Sequence, residues 1–339
     1  MRKDPFFYQT QLLMPKGLKQ IDPTFNLKET NQKKYAAFPI IKLYEIIEKQ
    51  ILGKKHQSIF YALGWSGLLS QKRRRLESVR FYNMLIKELQ ELKRKNITPK
   101  IQIIAHSHGG NLVANLALIQ AAIDGKEPEV TESKEKTTAY NQMYNLIKTL
   151  PSKKLAQSNR GQKVWDYKPE KYTIAIDQLV LYGTPIQPET DFCFLMPPFK
   201  KVYNFYSEAD TIQSLDILST KRLFSGKTIN YTKLHKTSAP TSTHLAQAKI
   251  TINCPKQSTT HKKPAKEKSW WSHILHNLKK TSDDPTHKDF WFLSWNKKKS
   301  DKPCLQPLPI VMFTPLFTKM LSDNEKFQES ELRIQLKEK

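Results

Sequence analysis

The chain has 339 residues, of which 38% are hydrophobic and 10% aromatic, so one large domain or two modest ones can bury a sizeable core. This composition excludes a collagen-like chain, a coiled coil and a wholly disordered chain. The formal net charge of +25 points first to nucleic acid or an anionic membrane as a partner. However, the lysines are spread along the whole chain, and arginine, which binds phosphate through two parallel hydrogen bonds, is scarce. We therefore expect no specific nucleic acid partner and only weak contact with an anionic membrane surface.

Residues 1–58 contain no clear strand, and we interpret them as an N-terminal extension. The chain begins with basic residues but has no apolar run as long as a signal peptide requires. This pattern predicts a cytoplasmic protein. An exported form would need residues that precede this N-terminus.

Strands and helices alternate in the part of the chain that follows. The apolar runs at 59–63 and 101–105 are followed by a glycine and by a polar block, as buried parallel strands are. Apolar residues recur at helical spacing over 70–95 and again over 112–123. This order predicts an α/β fold with a doubly wound, mostly parallel sheet and helices on both faces.

The pattern is looser over residues 124–175, which we interpret as an insertion. Its amphipathic segment 140–150 predicts a helix whose apolar face covers a binding pocket as a lid. Further strands are predicted at 179–182 and 202–206, and residues 250–252 are a weaker candidate for the last strand.

The C-terminal third is rich in lysine. Residues 255–286 predict a long basic surface loop. We interpret residues 322–339 as a charged tail.

The most specific chemical signal is Ser107, which lies between a predicted strand and a predicted helix. Ala105 and Gly109 lie two positions away on either side, where a sharp strand–nucleophile–helix turn requires small residues. In such a turn the backbone N–H of His108 points towards a developing oxyanion, helped by the positive end of the helix dipole. The alternative is that Ser107 is an ordinary helix N-cap.

These residues carry a resemblance to a known family. The run I-I-A-H-S-H-G-G-N after one strand and G-T-P after the next resemble the α/β-hydrolase superfamily on its lipase and esterase side, although alanine replaces the first glycine of the usual G-x-S-x-G motif. The resemblance extends over about 61–216 and less strongly to 321, so we assign the hydrolase domain to 59–321. It implies a triad of serine, acid and histidine in that chain order, with the acid after the strand that follows G-T-P and the histidine after the last strand.

Asp210 is the acid that best fits this implied order. It follows the predicted strand 202–206 and lies 103 residues after Ser107 (210 − 107). Asp191 and Asp216 are weaker candidates. The alternative role for Asp210 is to cap the loop before a helix.

The histidine is less clearly specified. The downstream candidates are His235, His244, His261, His273, His276 and His287. We favour His287 because three aromatic residues at 290–292 can anchor its loop. His261 lies in a lysine-rich tract, and His244 precedes the candidate last strand.

A second oxyanion donor is expected from the backbone of Trp65, in a loop with the sequence G-W-S-G. The alternative is that this loop is a tight turn between a strand and a helix. No H-G dipeptide follows an N-terminal strand, so either Trp65 supplies the donor or the first strand is missing from the chain.

The sequence thus predicts a serine hydrolase that cleaves a small-molecule or lipid ester through an acyl-enzyme. No cofactor or metal is implied, and Cys193, Cys254 and Cys304 lie too far apart in sequence to indicate a disulfide framework or a thiolate zinc site. Two alternatives stay open: a hydrolase-like binding protein without turnover, and a basic protein that binds a membrane surface or nucleic acid.

Overall fold

The computed structural model describes residues 17–21, 37–53, 58–67, 70–127, 134–158, 165–210, 225–230, 244–253, 310–321 and 327–335. The strands in these ranges are β1 (Gly17–Ile21), β2 (Phe60–Gly64), β3 (Gln102–His106), β4 (Gln178–Tyr182), β5 (Lys201–Tyr206), β6 (His244–Asn253) and β7 (Phe327–Gln335). Their α-helices are α1 (Ala37–Leu52), α2 (Gln71–Arg94), α3 (His108–Asp124), α4 (Lys134–Thr149), α5 (Lys153–Ser158) and α6 (Thr314–Met320). Short 3₁₀ helices cover Asp191–Leu195 and Ile310–Phe313.

Five parallel strands form the main sheet, in the spatial order β3-β4-β5-β6-β7. β1 and β2 pair antiparallel in a separate two-stranded sheet. Because all these strands are parallel, each strand ends at the same edge of the sheet as its neighbours. The predicted α/β class and the mostly parallel sheet are confirmed. The doubly wound order is not, because the described strands of this sheet follow one another in one direction without a reversal.

The side chains of the sheet alternate between two cores, as the period of a strand requires. Leu179 and Leu181 of β4 face a core that also contains residues of α2, α3 and α4. Val180 and Tyr182 face a second core, which contains Phe317 of α6 and the preceding 3₁₀ helix. Helices therefore cover both faces of the sheet.

The predicted strands agree closely with β2, β3, β4 and β5, whose ends differ from the prediction by no more than one residue. The long predicted helix is α2. Its N-cap is Ser70, whose side chain accepts a hydrogen bond from the N–H of Arg73 at 3.4 Å. The weak candidate at 250–252 is the end of the longer strand β6.

Three segments differ from the sequence prediction. Residues 59–63 were expected to form a buried strand of the parallel sheet, but β2 pairs antiparallel with β1 outside it and is only partly buried. The other two segments form edge strands. Residues 17–21, which we expected to lie in an extension without strands, form β1 and pair with β2. Residues 327–335, which we assigned to a charged tail, form β7 and pair with β6 along their whole length. Both strands expose polar and charged side chains, as edge strands that resist further pairing do, and this composition hid them.

The amphipathic helix predicted as a lid is α4, and its apolar face is buried. Tyr140, Met143 and Ile147 lie in the core shared with α3, and Met143 is fully buried. An ion pair of 3.2 Å between Lys136 and Asp191 also ties α4 to the neighbouring 3₁₀ helix. Because α3 already covers this face, the helix is a fixed part of the domain, and its packing does not support the lid interpretation.

Candidate active site

Ser107 and Asp210 lie at the same edge of the parallel sheet. The register aligns the end of β3 with the end of β4, and Tyr182 of β4 with Phe205 of β5. Ser107 follows β3 directly, and Asp210 follows β5 after a short turn. Sites in open α/β sheets form at the carboxyl ends of the strands.

The backbone of Ser107 has an unusual conformation, with φ of 55° and ψ of −137°. Its N–H donates to the carbonyl of Tyr182 at 3.0 Å, and its own carbonyl accepts from the N–H of Gly110 at 3.0 Å. For a residue with a Cβ, a rare conformation of this kind costs about 1–3 kcal/mol and persists only where the surroundings impose it.

This geometry does not fit the alternative of an ordinary N-cap. An N-cap serine has an extended backbone and its hydroxyl accepts a hydrogen bond from the first turn of the helix. Ser107 has a positive φ, and its side chain makes no cap hydrogen bond to α3. The sharp turn instead presents the hydroxyl at the sheet edge, as the turn that carries a hydrolase nucleophile does.

Close packing at the first turn of α3 holds this turn in place. A Cβ on Gly110 would lie 2.3 Å from Oγ1 and 2.9 Å from Cβ of the fully buried Thr184, so glycine is required there. A Cβ on Gly109 would meet Cβ of Ala105 at 4.0 Å, which is an ordinary contact. The space between Ala105 and Gly109 would therefore accept a methyl group, and the tighter constraint lies one residue further along the chain, at Gly110.

Asn111 adds a polar contact between α3 and the same loop. Its side-chain amide donates to the carbonyl of Pro185 at 2.9 Å. The G-T-P sequence after β4 therefore braces the turn at Ser107 from the side.

Candidate oxyanion donors lie on two elements. His108 is the first residue of α3, and the N–H groups of the first turn have no acceptor within the helix. Trp65 follows the end of β2 and packs partly buried against the main core. The donor role of Trp65 stays a prediction.

Arg74 of α2 also reaches the turn at Ser107, where it contacts His108, and sequence reasoning missed it. The side chain is 1% exposed, and its guanidinium lies 3.5 Å from Nδ1 of His108 and donates to Oε1 of Gln187 at 3.2 Å. Because a guanidinium can only donate, Nδ1 of His108 is the acceptor in this contact. A run of basic residues such as K-R-R-R is usually solvated, so the burial of Arg74 and Arg75 is evident only in the folded structure.

Asp210 is fully buried in a short, well-braced turn. Its N–H donates to the carbonyl of Ser207 at 3.3 Å, and the Ser207 hydroxyl accepts from the N–H of Ala209. Lys227 donates to the carbonyls of Ser207 and Glu208 at 3.0 and 2.8 Å. These hydrogen bonds fix the backbone of the turn that carries Asp210 at the sheet edge.

Of the six candidate histidines, only His244 lies among the residues that the structure describes. His244 is the first residue of β6 and pairs with Lys201, the first residue of β5. It therefore lies at the opposite edge of the sheet from Ser107. His287 and His261 lie outside the described residues.

No helix within the described stretches is long and apolar enough to cross a membrane. No protein-family model, curated protein or solved structure matches the chain. Function therefore has to be inferred from the geometry of the site.

Proposed function

We propose that the chain is a serine hydrolase of the α/β-hydrolase type, which cleaves a carboxylic ester through an acyl-enzyme. The observation that carries this proposal is the backbone of Ser107, a serine with φ of 55° between a parallel strand and a helix. Strained residues of this kind cluster at active sites. A serine that served only the fold would cap the helix at lower cost.

The positions of the other groups support the same assignment. Asp210 follows the strand two places along the sheet from β3, which leaves room for a histidine between the acid and the nucleophile. The chain order of serine, acid and histidine is that of the α/β-hydrolases. The sequential strand order from β3 to β6 agrees with this arrangement.

In the proposed reaction, Oγ of Ser107 attacks the carbonyl carbon of the ester while the histidine takes its proton. The N–H of His108 stabilises the oxyanion of the tetrahedral intermediate. The intermediate collapses when the C–O bond to the alcohol breaks, and the imidazolium returns the proton to the departing oxygen. Water then attacks the acyl-enzyme by the same route, which releases the acid and restores Ser107.

We assign the histidine to His287 and its orienting carboxylate to Asp210. A buried carboxylate beside the imidazole holds the required tautomer and stabilises the imidazolium that forms. Exchange of this carboxylate for an amide in a triad lowers kcat by about 10⁴-fold, so we expect Asp210→Asn to lose activity on this scale.

The test is covalent labelling by a fluorophosphonate, followed by identification of the modified peptide. We expect stoichiometric modification of Ser107 in the folded chain, and none after heat unfolding or in Ser107→Ala. Ser66→Ala is the matched control, because Ser66 also lies in a glycine-flanked loop after a strand but has no positive φ. It should label as the wild type does.

Two results would contradict the proposal. One is labelling that persists in Ser107→Ala. The other is a wild-type protein that is folded by circular dichroism and is neither labelled nor active on p-nitrophenyl esters. That second result would favour a hydrolase-like binding protein without turnover.

A further inference from the structure

A second arginine of α2, Arg75, is buried near the turn at Ser107. It is 7% exposed, and its Nε is completely buried without a hydrogen bond to any residue that the structure describes. Among the described residues its guanidinium forms no ion pair within 4.0 Å. Glu189 attracts it from further away and accepts a hydrogen bond from Gln71 instead.

Arg75 lines a polar depression in the surface. The depression has a volume of about 210 Å³, which includes the part open to solvent. The lining residues include Arg74, Arg75, Asn111, Asn115, Gln187 and Thr190. The hydroxyl oxygen of Thr190 is also buried, and no described residue forms a hydrogen bond with it. Thr190 and Arg75 thus offer unused donors to the same space.

The charge balance of the depression favours an anion. A buried guanidinium is expensive unless it is paired, and burial lowers the pKa of Arg75 because it disfavours the charged form. Arg74 adds a second cation, and α3 directs the positive end of its dipole towards this side of the sheet edge. An anion bound here would offset the cost of burying Arg75.

The depression is also close to the reacting atoms. Asn111 in its wall is one helical turn from Ser107, which corresponds to about 5–6 Å along the helix. Arg74, also in the wall, contacts His108. A group bound in the depression would therefore belong to a molecule that also reaches the Ser107 hydroxyl.

We propose that this pocket binds an anionic group of the substrate, a carboxylate or a phosphate a few bonds from the scissile ester carbonyl. The proposal rests on the proposed function and deepens it, because it makes the substrate an anionic ester. Arg75 would donate to the anion through its guanidinium, and Thr190 through its hydroxyl.

The test compares two matched p-nitrophenyl esters: the anionic p-nitrophenyl hydrogen succinate and its neutral methyl ester. The measured quantity is the ratio of their kcat/KM values. We expect Arg75→Gln to lower the ratio of anionic to neutral ester at least tenfold and Arg75→Lys to lower it less. Arg73→Gln should leave the ratio unchanged, because Arg73 is half-buried and pairs with Glu77 at 3.1 Å.

An unchanged ratio in Arg75→Gln, or an equal fall for both esters, would overturn the proposal. If that variant does not fold, competition on the wild type decides. Methyl hydrogen succinate or glycerol phosphate must inhibit hydrolysis of the neutral ester more strongly than uncharged dimethyl succinate does. Equal inhibition by all three would overturn the proposal, and the stronger of the two anions identifies carboxylate or phosphate.

Failure of the proposed function would be distinguishable from failure of the pocket. If no ester is hydrolysed, the hydrolase assignment fails. Calorimetric titrations of the full chain with methyl phosphate and with methyl hydrogen succinate would still report on the pocket. Binding of either anion that is lost in Arg75→Gln and kept in Arg73→Gln supports the anion site, and absence of binding of both anions to the wild type overturns it.

Discussion

Replacement of Gly110 by alanine should damage both the fold and the site, because the new methyl group has no space. Its Cβ would lie 2.3, 2.5 and 2.9 Å from Oγ1, Cγ2 and Cβ of Thr184. Thr184 is fully buried, and the N–H of the preceding residue is bonded to the carbonyl of Phe205 at 3.0 Å, so the loop cannot easily withdraw. The first turn of α3 must therefore shift and carry Ser107 with it.

The expected magnitude is the difference between two opposing effects. Overpacking of a tight core costs about 1–3 kcal/mol. Alanine in a helix is more favourable than glycine by about 0.5–1 kcal/mol. We therefore expect Gly110→Ala to lose roughly 1–2 kcal/mol of the free energy of unfolding in urea, and to react more slowly with a fluorophosphonate.

Gly109→Ala is the matched control, since its Cβ would make only an ordinary contact of 4.0 Å with Ala105. That variant should be as stable as the wild type or slightly more stable. Thr184→Ala removes the two closest atoms, so it should recover part of the stability lost by Gly110→Ala. Equal destabilisation by the two glycine variants, or a double mutant without coupling, would refute the packing argument.

Further predictions concern strain, the triad and pH. Ser107→Gly should be more stable in urea than Ser107→Ala by about 1 kcal/mol, because glycine adopts a positive φ without strain; equal stability would remove the strain argument. His287→Ala should lower kcat/KM for a p-nitrophenyl ester by about 10³-fold or more. His244→Ala should retain activity, because His244 lies at the opposite edge of the sheet. If only His261→Ala lost activity, the general base would be His261 instead of His287. Burial raises the pKa of Tyr82 above its usual value of 10.0, so the unfolded chain loses this proton first and the free energy of unfolding should fall as pH rises above about 10. Tyr82→Phe should show a shallower fall between pH 10 and 11 in urea titrations, and an unchanged slope would contradict this assignment.

The inner strands were predictable because both of their faces are buried. β4 carries buried apolar side chains from Leu179 to Tyr182, and such a strand is read as a continuous apolar run. β7 has Leu332 buried while Glu329, Glu331 and Arg333 are exposed or nearly so. An edge strand of this composition resembles a charged tail, since nothing local shows that β6 lies beside it.

The amphipathic helix α4 shows a different limit of sequence reasoning. A stripe of apolar residues indicates that one face is covered, but the pattern is the same whether the cover is another helix or a substrate pocket. Met143 lies in the core with α3, and only the tertiary structure identifies that neighbour.

The site was predictable where the motif was local. Ser107 could be identified because small residues flank it in the sequence. Gly110 and Thr184 are far apart in the sequence and come together only in the fold. The burial of Arg74 and Arg75 was hidden because a run of basic residues is usually solvated. Contacts between residues far apart in sequence leave no such local signal.

The strands of the main sheet differ in length at the edge where Ser107 and Asp210 lie. β5 ends opposite Lys249, so Ile250–Asn253 of β6 pair only with β7. At 3.3 Å per residue, these four residues project about 13 Å beyond the end of β5. The two strands therefore extend further than their neighbours at the edge of the sheet where Asp210 lies. For the proposed triad, this means that the loop that carries the histidine starts about 13 Å beyond the end of β5 and has to turn back across the edge to reach Ser107.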